Sequence, residues 1–162
     1  MGPLLAARPH PPTAPDPIFL VAFPRSGTTL LDQILGSHPR LQVMEEKPPL
    51  GTVQQTIEGM DDDDGKALAA LTPTDLQRLR KIYHQEVDRH LTRNQESLLV
   101  DKFPLNINHF TLIKRLFPNS RIILALRHPC DVVLSNLIQN YRTNKATPFF
   151  SIWKMRLISI RR

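Results

Sequence analysis

Two kinds of segment follow one another along this chain. Some are short runs of apolar residues, and others are longer and have apolar residues at helical spacing. A short, nearly continuous apolar run is typical of a strand buried on both faces of a parallel sheet. Three runs predict such strands: 18–23, 98–100 and 121–126. Apolar residues recur with helical spacing in four segments: 28–37, 76–91, 107–117 and 131–141. This order of elements predicts an α/β fold, with a parallel sheet flanked by helices.

Local signals define some boundaries of these elements. Thr72 is suited to cap a helix, Pro73 to occupy its first position and Asp75 to face its positive end. The predicted helix at 28–37 has an apolar face made by four residues: Leu30, Leu31, Ile34 and Leu35. Residues 45–66 contain prolines, glycines and a run of aspartates, so we expect them to be largely irregular.

Prolines and basic residues divide the chain into three parts. Six of the first 17 residues are prolines, so 1–17 is expected to be an extended leader or linker. The formal net charge is +6, but residues 1–141 contain 15 basic and 15 acidic side chains. The excess lies entirely in 142–162. We therefore expect a domain over 18–144 whose charges nearly cancel, a basic tail over 145–162 and no nucleic-acid partner.

Global features exclude several classes of protein. An apolar fraction of 41% with 22% charged residues indicates one globular domain. The single cysteine, Cys130, excludes an intramolecular disulfide and a cysteine-based zinc site, and it is compatible with a reducing compartment. No signal-peptide pattern is present, and no apolar run approaches the roughly 20 residues of a membrane span. We expect a cytoplasmic protein without a transmembrane segment.

The strongest motif spans residues 23–30 (Phe-Pro-Arg-Ser-Gly-Thr-Thr-Leu), between a predicted strand and a predicted helix. Free N–H groups at a helix start, together with the helix dipole, favour a bound phosphate. The loop adds a guanidinium, hydroxyl donors and a glycine that allows close approach of the backbone. The residues concerned are Arg25, Ser26, Gly27, Thr28 and Thr29. The pattern predicts a phosphate site, the alternative being a capped helix with an exposed arginine.

The same motif does not satisfy the Walker A pattern. Ala22 stands where that pattern has its first glycine, and Thr28 stands where it has its lysine. A phosphate loop without this lysine argues against ordinary ATP or GTP hydrolysis.

A second motif lies where the last predicted strand meets a helix. Arg127 ends the strand and Ser135 lies about two turns into the helix, so one ligand group can touch both if the helix leans over the strand end. The alternative is an Arg127–Asp131 pair with Ser135 facing solvent.

Two weaker candidate sites are a lysine at the end of the middle predicted strand and a pair of adjacent glutamates. Lys102 ends the middle strand and would point into one crevice with Arg25, unless it pairs locally with Asp101 at the surface. Glu45 and Glu46 are a candidate general base if the chain brings them near the phosphate site, and otherwise a solvated pair.

Taken in order and with their spacing, these motifs resemble a sulfotransferase. The similarity covers about residues 17–144 and is to bacterial sulfotransferases that follow tetratricopeptide repeats and to tyrosylprotein sulfotransferases. The matching motifs are Pro24–Leu31, His38-Pro39, Glu45-Glu46, Asp101-Lys102, Phe117-Pro118-Asn119 and Arg127 with Ser135. The resemblance implies a P-loop-type sheet. It also implies sulfuryl transfer from 3′-phosphoadenosine-5′-phosphosulfate to a hydroxyl or amine acceptor, without a metal.

The resemblance also implies a role for each motif. The first loop of the family binds the 5′-phosphosulfate, which here means residues 25–29, and the second motif binds the 3′-phosphate through Arg127 and Ser135. Glu46 would take the proton from the acceptor, with Glu45 as the alternative. Arg25 and Lys102 would stabilise charge on the sulfuryl group and on the leaving phosphate oxygen.

The family pattern ends near Asn144, where an apolar, basic tail replaces the acidic helix typical of the family. We therefore expect an incomplete domain, truncated at its C-terminal side by a frameshift or a shortened gene model. Two alternatives to an active sulfotransferase stay open at this point. They are a nucleotide-dependent kinase or phosphotransferase, and a non-catalytic remnant that binds the donor. The acceptor and the oligomeric state follow from no pattern in the sequence.

Overall fold

The computed structural model describes residues 15–58, 68–94 and 96–138, in which four parallel strands form one sheet in the order β2-β3-β1-β4. The strands are β1 (Ile18–Ala22), β2 (Leu41–Glu45), β3 (Leu98–Lys102) and β4 (Arg121–Ala125). The predicted α/β fold with a parallel sheet is confirmed. All four strands end at one edge of the sheet, where parallel sheets bind ligands.

Helices connect or follow the strands, and residues 68–70 are helical as well. The longer helices are α1 (Thr28–Gly36), α2 (Pro49–Glu58), α3 (Pro73–His90), α4 (Phe110–Leu116) and α5 (Pro129–Ile138), and a 3₁₀ helix at Pro104–His109 precedes α4. Helix α3 begins as predicted. The hydroxyl of Thr72 accepts from the N–H of Asp75 at 3.2 Å, and the Asp75 carboxylate accepts from the N–H of Thr72 at 2.9 Å. This reciprocal capping satisfies two N–H groups at the start of the helix.

The hydrophobic core lies between one face of the sheet and helices α2, α3 and α4. Three rings meet at its centre, with centroids 6.1 Å apart for Phe19 and Tyr83, 6.0 Å for Phe19 and Phe117, and 4.9 Å for Tyr83 and Phe117. All three side chains are buried. Burial of each such side chain contributes about 1.5–3 kcal/mol, so this core holds the strands and their ends in place.

Two elements in the first half of the chain were not predicted. Strand β2 lies in a segment to which the sequence assigned no element, and α2 lies in the segment expected to be irregular. Pro49 begins α2, a position where its missing N–H is tolerated. Leu50 and Val53 then face the core. The expectation was wrong because proline is excluded from the interior of a helix but not from its first turn.

The helix expected over 107–117 also differs at its start. The chain forms the 3₁₀ helix through His109, and the α-helical part runs only over Phe110–Leu116. Pro104 begins the 3₁₀ turn directly after Phe103, which is extended.

Helix α1 turns a different face to the sheet than predicted. Leu30 and Ile34 are 68% and 57% exposed, whereas Thr28 and Asp32, one turn apart, are buried. The physical reason lies on β3, where the ammonium of Lys102 is 2.8 Å from the Asp32 carboxylate. A buried ion pair therefore contributes to the attachment of α1 to the sheet, where the sequence predicted apolar packing.

Other expectations concern residues at the ends of the chain. The leader up to residue 14, the last part of the helix predicted over 131–141 and the basic tail at 145–162 lie outside the described residues. Among the helices that the structure describes, none is long and apolar enough to cross a membrane.

Candidate active site

The loop between β1 and α1 has the geometry of an anion site. The first N–H groups of a helix have no acceptor within the helix. Helix α1 begins after Gly27 without a side-chain cap, so no capping side chain accepts from them either. Gly27 has φ of 86°, in the left-handed region, and an added Cβ would meet nothing within 4 Å. The glycine is therefore favoured here by its backbone conformation and leaves open space in front of the helix start.

Hydroxyl groups of this loop differ in exposure. Ser26 and Thr28 are buried, at 9% and 6%, whereas Thr29 is exposed. The N–H of Ser26 donates to the carbonyl of Phe23 at 3.2 Å, which closes the turn that follows β1. Of the three predicted hydroxyl donors, Thr29 is the one already open to solvent.

Arg25 joins the first motif to the second. Its Nε donates to Oγ of Ser135 at 3.1 Å, and Nη1 of Arg127 donates to the backbone carbonyl of Arg25 at 3.1 Å. Asn136, which the sequence did not point to, is buried and donates to the carbonyl of Pro24 at 3.3 Å. The structure thus brings the two predicted phosphate motifs together at the ends of β1 and β4.

The alternative pairing predicted for Arg127 is present as well. Its Nε lies 3.9 Å from the carboxylate of Asp131, and both side chains are substantially exposed. An exposed pair at this distance contributes little to stability, so Arg127 stays available for an anionic ligand.

Lys102 lies at the centre of a second cluster. Its side chain is fully buried, and its ammonium is 2.8 Å from Asp32, 3.0 Å from Glu45 and 3.2 Å from Glu46. Burial alone lowers the pKa of Lys102, but its contacts with these three carboxylates outweigh burial and raise the pKa above its ordinary value. Lys102 is therefore a permanent cation at neutral pH, and the local surface pair with Asp101 is not formed.

Two neighbouring strands place Glu45 and Glu46 beside Lys102. Glu45 is the register partner of Lys102 across β2 and β3, and the N–H of Glu46 donates to the carbonyl of Lys102 at 2.8 Å. Their side chains are 59% and 55% exposed. Both can therefore reach solvent and an acceptor, and neither their exposure nor their contacts with Lys102 distinguish them as bases.

Backbone conformation singles out two of the predicted catalytic residues. In the part of the chain that the structure describes, the non-glycine residues with positive φ are Arg25 at 72° and Glu46 at 44°. Such conformations cost of order 1–3 kcal/mol and cluster at active sites.

Asp32 is a site residue that the sequence did not identify. The pattern of 28–37 was interpreted as an apolar face, and a single carboxylate within it carried no motif. The available signal was its spacing, because Asp32 follows Thr28 by one turn and therefore lies on the side of α1 that faces the loop and sheet.

A shallow cleft opens beside this cluster, between α1 and the end of β2. Its volume is about 430 Å³, and it is lined by Asp32, Gln33, Gly36, Ser37, Val43 and Glu45. Of the three carboxylates around Lys102, Asp32 and Glu45 line this cleft.

Asp101, which precedes Lys102 in β3, is buried in the core on the opposite face of the sheet. Asp101 accepts from the hydroxyl of Tyr83 at 2.8 Å and from Nδ2 of Asn106 at 3.3 Å. Burial raises the pKa of Asp101 to about 7, although both hydrogen bonds lower it.

Within the described ranges, no group of three or more histidine, cysteine or acidic side chains is arranged to hold a metal ion.

Comparison with known proteins identifies a family and a relative. The model of the family described as "Sulfotransferase family" matches residues 17–156. A curated relative from Aquifex aeolicus (strain VF5), described as an uncharacterized protein, is 32% identical over 152 residues. That match covers 91% of this chain and 20% of the relative, so the chain spans about one fifth of that protein's length. The resemblance predicted from the motifs is confirmed, whereas the repeat association and the truncation stay predictions.

Proposed function

Because this chain belongs to the sulfotransferase family, we propose that it binds 3′-phosphoadenosine-5′-phosphosulfate and transfers the sulfuryl group to a hydroxyl or amine acceptor. The observation that carries the proposal is the meeting of Arg25, Ser135 and Arg127 in front of α1. A donor with phosphates at both the 5′ and 3′ positions needs two adjoining anion sites, and these residues supply them.

Binding of the donor would fall to the loop and to the two motifs that meet there. The first-turn N–H groups of α1, the Arg25 guanidinium and the Thr29 hydroxyl are donors for the 5′-phosphosulfate. Arg127 and Ser135 are donors for the 3′-phosphate. When bound, the donor supplies the sulfuryl group and a phosphate that leaves.

The proton of the acceptor would go to a glutamate at the end of β2. Glu46 is half-exposed, holds a strained backbone conformation and accepts a hydrogen bond from Lys102 at 3.2 Å. This hydrogen bond orients the carboxylate toward its role as base. Glu45, at 3.0 Å from the same ammonium, is the alternative base.

Two cations would stabilise the charge that develops during transfer. Arg25 lies at the start of α1, and Lys102 is held by carboxylates at the end of β3. Fixed cations need no reorganisation when the bond to sulfur breaks, which is the condition for electrostatic catalysis.

The proposal includes a cytoplasmic location, supported by the single Cys130, which is a free thiol.

Thermal unfolding with and without ligand tests the binding part of the proposal. We expect 3′-phosphoadenosine-5′-phosphate to raise Tm and ATP with magnesium to leave it unchanged. Stabilisation by ATP with magnesium alone would contradict the proposal and favour a phosphotransferase. Stabilisation by the bisphosphate without sulfuryl transfer to any acceptor would favour a donor-binding protein without catalysis.

A further inference from the structure

We propose that Asp32 is a positioning residue of this site: its buried carboxylate anchors the Lys102 ammonium, and through that ammonium it orients Glu46. The inference rests on the proposed function, in which Glu46 takes the acceptor proton. It assigns a role to a residue that no motif of the sequence indicated.

The three carboxylates around Lys102 differ in how firmly they are held. The side chain of Asp32 is 4% exposed and gives the shortest contact, at 2.8 Å. Glu45 and Glu46 are 59% and 55% exposed, so their side chains keep rotamer freedom. Asp32 is therefore the fixed partner that defines where the ammonium lies.

The chemistry of the ammonium group makes this anchor relevant to Glu46. A lysine side chain has three N–H donors and no acceptor, which matches three surrounding carboxylates. Two of these donors hydrogen-bond to Glu45 and Glu46 at 3.0 and 3.2 Å, and the ion pair with the buried Asp32 carboxylate at 2.8 Å holds the ammonium in place for them. Loss of Asp32 frees the ammonium to turn and to move toward the exposed glutamates.

The position of Asp32 in the fold couples two parts of the site. Asp32 lies on α1, in the second turn after the phosphate loop, whereas Lys102 ends β3 beside β2. One ion pair thus ties the helix that presents the donor site to the end of β3, which lies beside the end of β2 that presents the base. In-line transfer depends on this relative placement, because small misplacements cost large factors in rate.

A purely structural role predicts a different result and can be distinguished. If Asp32 only stabilised the fold, its loss would lower Tm but would not lower kcat of the folded protein. The matched control is Asp101, another buried carboxylate, which neighbours Lys102 in sequence but hydrogen-bonds to Tyr83 on the opposite face of the sheet.

The experiment compares Asp32→Asn and Asp101→Asn with the wild type, below the Tm of each variant. Transfer of ³⁵S from the labelled donor is measured with 4-nitrophenol, glucosamine and a tyrosine-containing peptide as acceptors. We expect Asp32→Asn to lower kcat about 10- to 100-fold. The Kd for 3′-phosphoadenosine-5′-phosphate should stay within about twofold, and Asp101→Asn should keep kcat within about twofold.

A double variant separates action through Lys102 from an independent effect. When Asp32→Asn is added to Lys102→Met, we expect no further loss of kcat. The double variant removes both charges of the buried pair together, so no unpaired charge is left to destabilise the fold. A further tenfold loss would overturn the inference. If the wild type transfers sulfuryl while Asp32→Asn keeps a normal kcat, the inference fails and the proposed function stands. If the wild type transfers to none of the three acceptors, the proposed function fails and the inference fails with it.

Discussion

The guanidinium Nε of Arg25 donates to Oγ of Ser135 at 3.1 Å, although the two residues lie 110 positions apart in the chain. Arg25 belongs to the loop after β1, and Ser135 belongs to the helix after β4. Strand pairing between β1 and β4 brings these segments together, with Ala22 beside Ala125 at the ends of the strands. The contact joins into one surface two motifs that the sequence shows only separately.

The first prediction concerns this surface. Arg25→Ala removes the guanidinium that would hold the 5′-phosphosulfate and its contact with Ser135, so we expect binding of 3′-phosphoadenosine-5′-phosphate to weaken by about 10- to 100-fold, as for other hydrogen bonds to charged groups. Isothermal titration measures the Kd. Arg121→Ala, at the opposite end of β4, is the matched control and should bind normally. Equal affinity of Arg25→Ala and wild type would remove Arg25 from the donor site.

The second prediction concerns the base. Glu46→Gln keeps the shape of the side chain but removes its charge, so it should spare binding of the bisphosphate and lower kcat by about 10²–10⁴-fold. The same change at Glu45 should have a smaller effect, because Glu45 has no strained backbone to support a catalytic role. Steady-state transfer rates for both variants decide between the two glutamates. A normal kcat for Glu46→Gln together with a large loss for Glu45→Gln would reverse the assignment.

The third prediction concerns pH and the buried Asp101. Its pKa is about 7 in the folded state against 3.8 for the ordinary carboxyl, so the folded state binds the proton more tightly. The contribution of Asp101 to the free energy of unfolding is therefore complete below about pH 3.8. It is lost as pH rises toward 7, by roughly 4 kcal/mol at most.

Urea unfolding of wild type and Asp101→Asn at pH values from 5 to 8 checks this sign. The free energy of unfolding of the wild type, relative to the variant, should fall up to about pH 7 and stay level above it. His84 packs edge-on against Tyr83, and burial lowers its pKa. Because His84 is present in both proteins, its own titration cancels in the difference. A difference that rises with pH would contradict the raised pKa of Asp101.

The fourth prediction concerns the start of α3. Thr72→Ala removes the side-chain acceptor for the N–H of Asp75 and should lower the free energy of unfolding by about 1 kcal/mol. Thr74→Ala, an exposed position in the first turn of the same helix, is the control. Urea unfolding curves measure both. Equal losses for the two variants would show that the cap itself contributes nothing.

The features that the sequence predicted correctly are those that depend on neighbours in the chain. The Thr72 cap, the apolar strand that became β4 and the glycine turn before α1 each follow from a few consecutive residues. Their physical causes are local backbone conformation and hydrogen bonding, which a single sequence contains.

The features that it missed depend on partners far along the chain. Strand β2 is a strand because it pairs with β3, more than 50 residues later, and its own residues alternate weakly. Asp32 faces the sheet because its carboxylate pairs with the buried ammonium of Lys102, 70 positions later in the chain. A local apolar pattern that contained Leu30 and Ile34 therefore predicted the wrong face of α1.

The most direct test of the central claim is a single transfer measurement. The purified chain is incubated with ³⁵S-labelled 3′-phosphoadenosine-5′-phosphosulfate and the three acceptors, 4-nitrophenol, glucosamine and a tyrosine-containing peptide, with Glu46→Gln in parallel. We predict radioactive sulfate on at least one acceptor with the wild type and at least a hundredfold less, roughly, with the variant. Transfer by neither protein, or equal transfer by both, would contradict the proposed function or the role of Glu46, respectively.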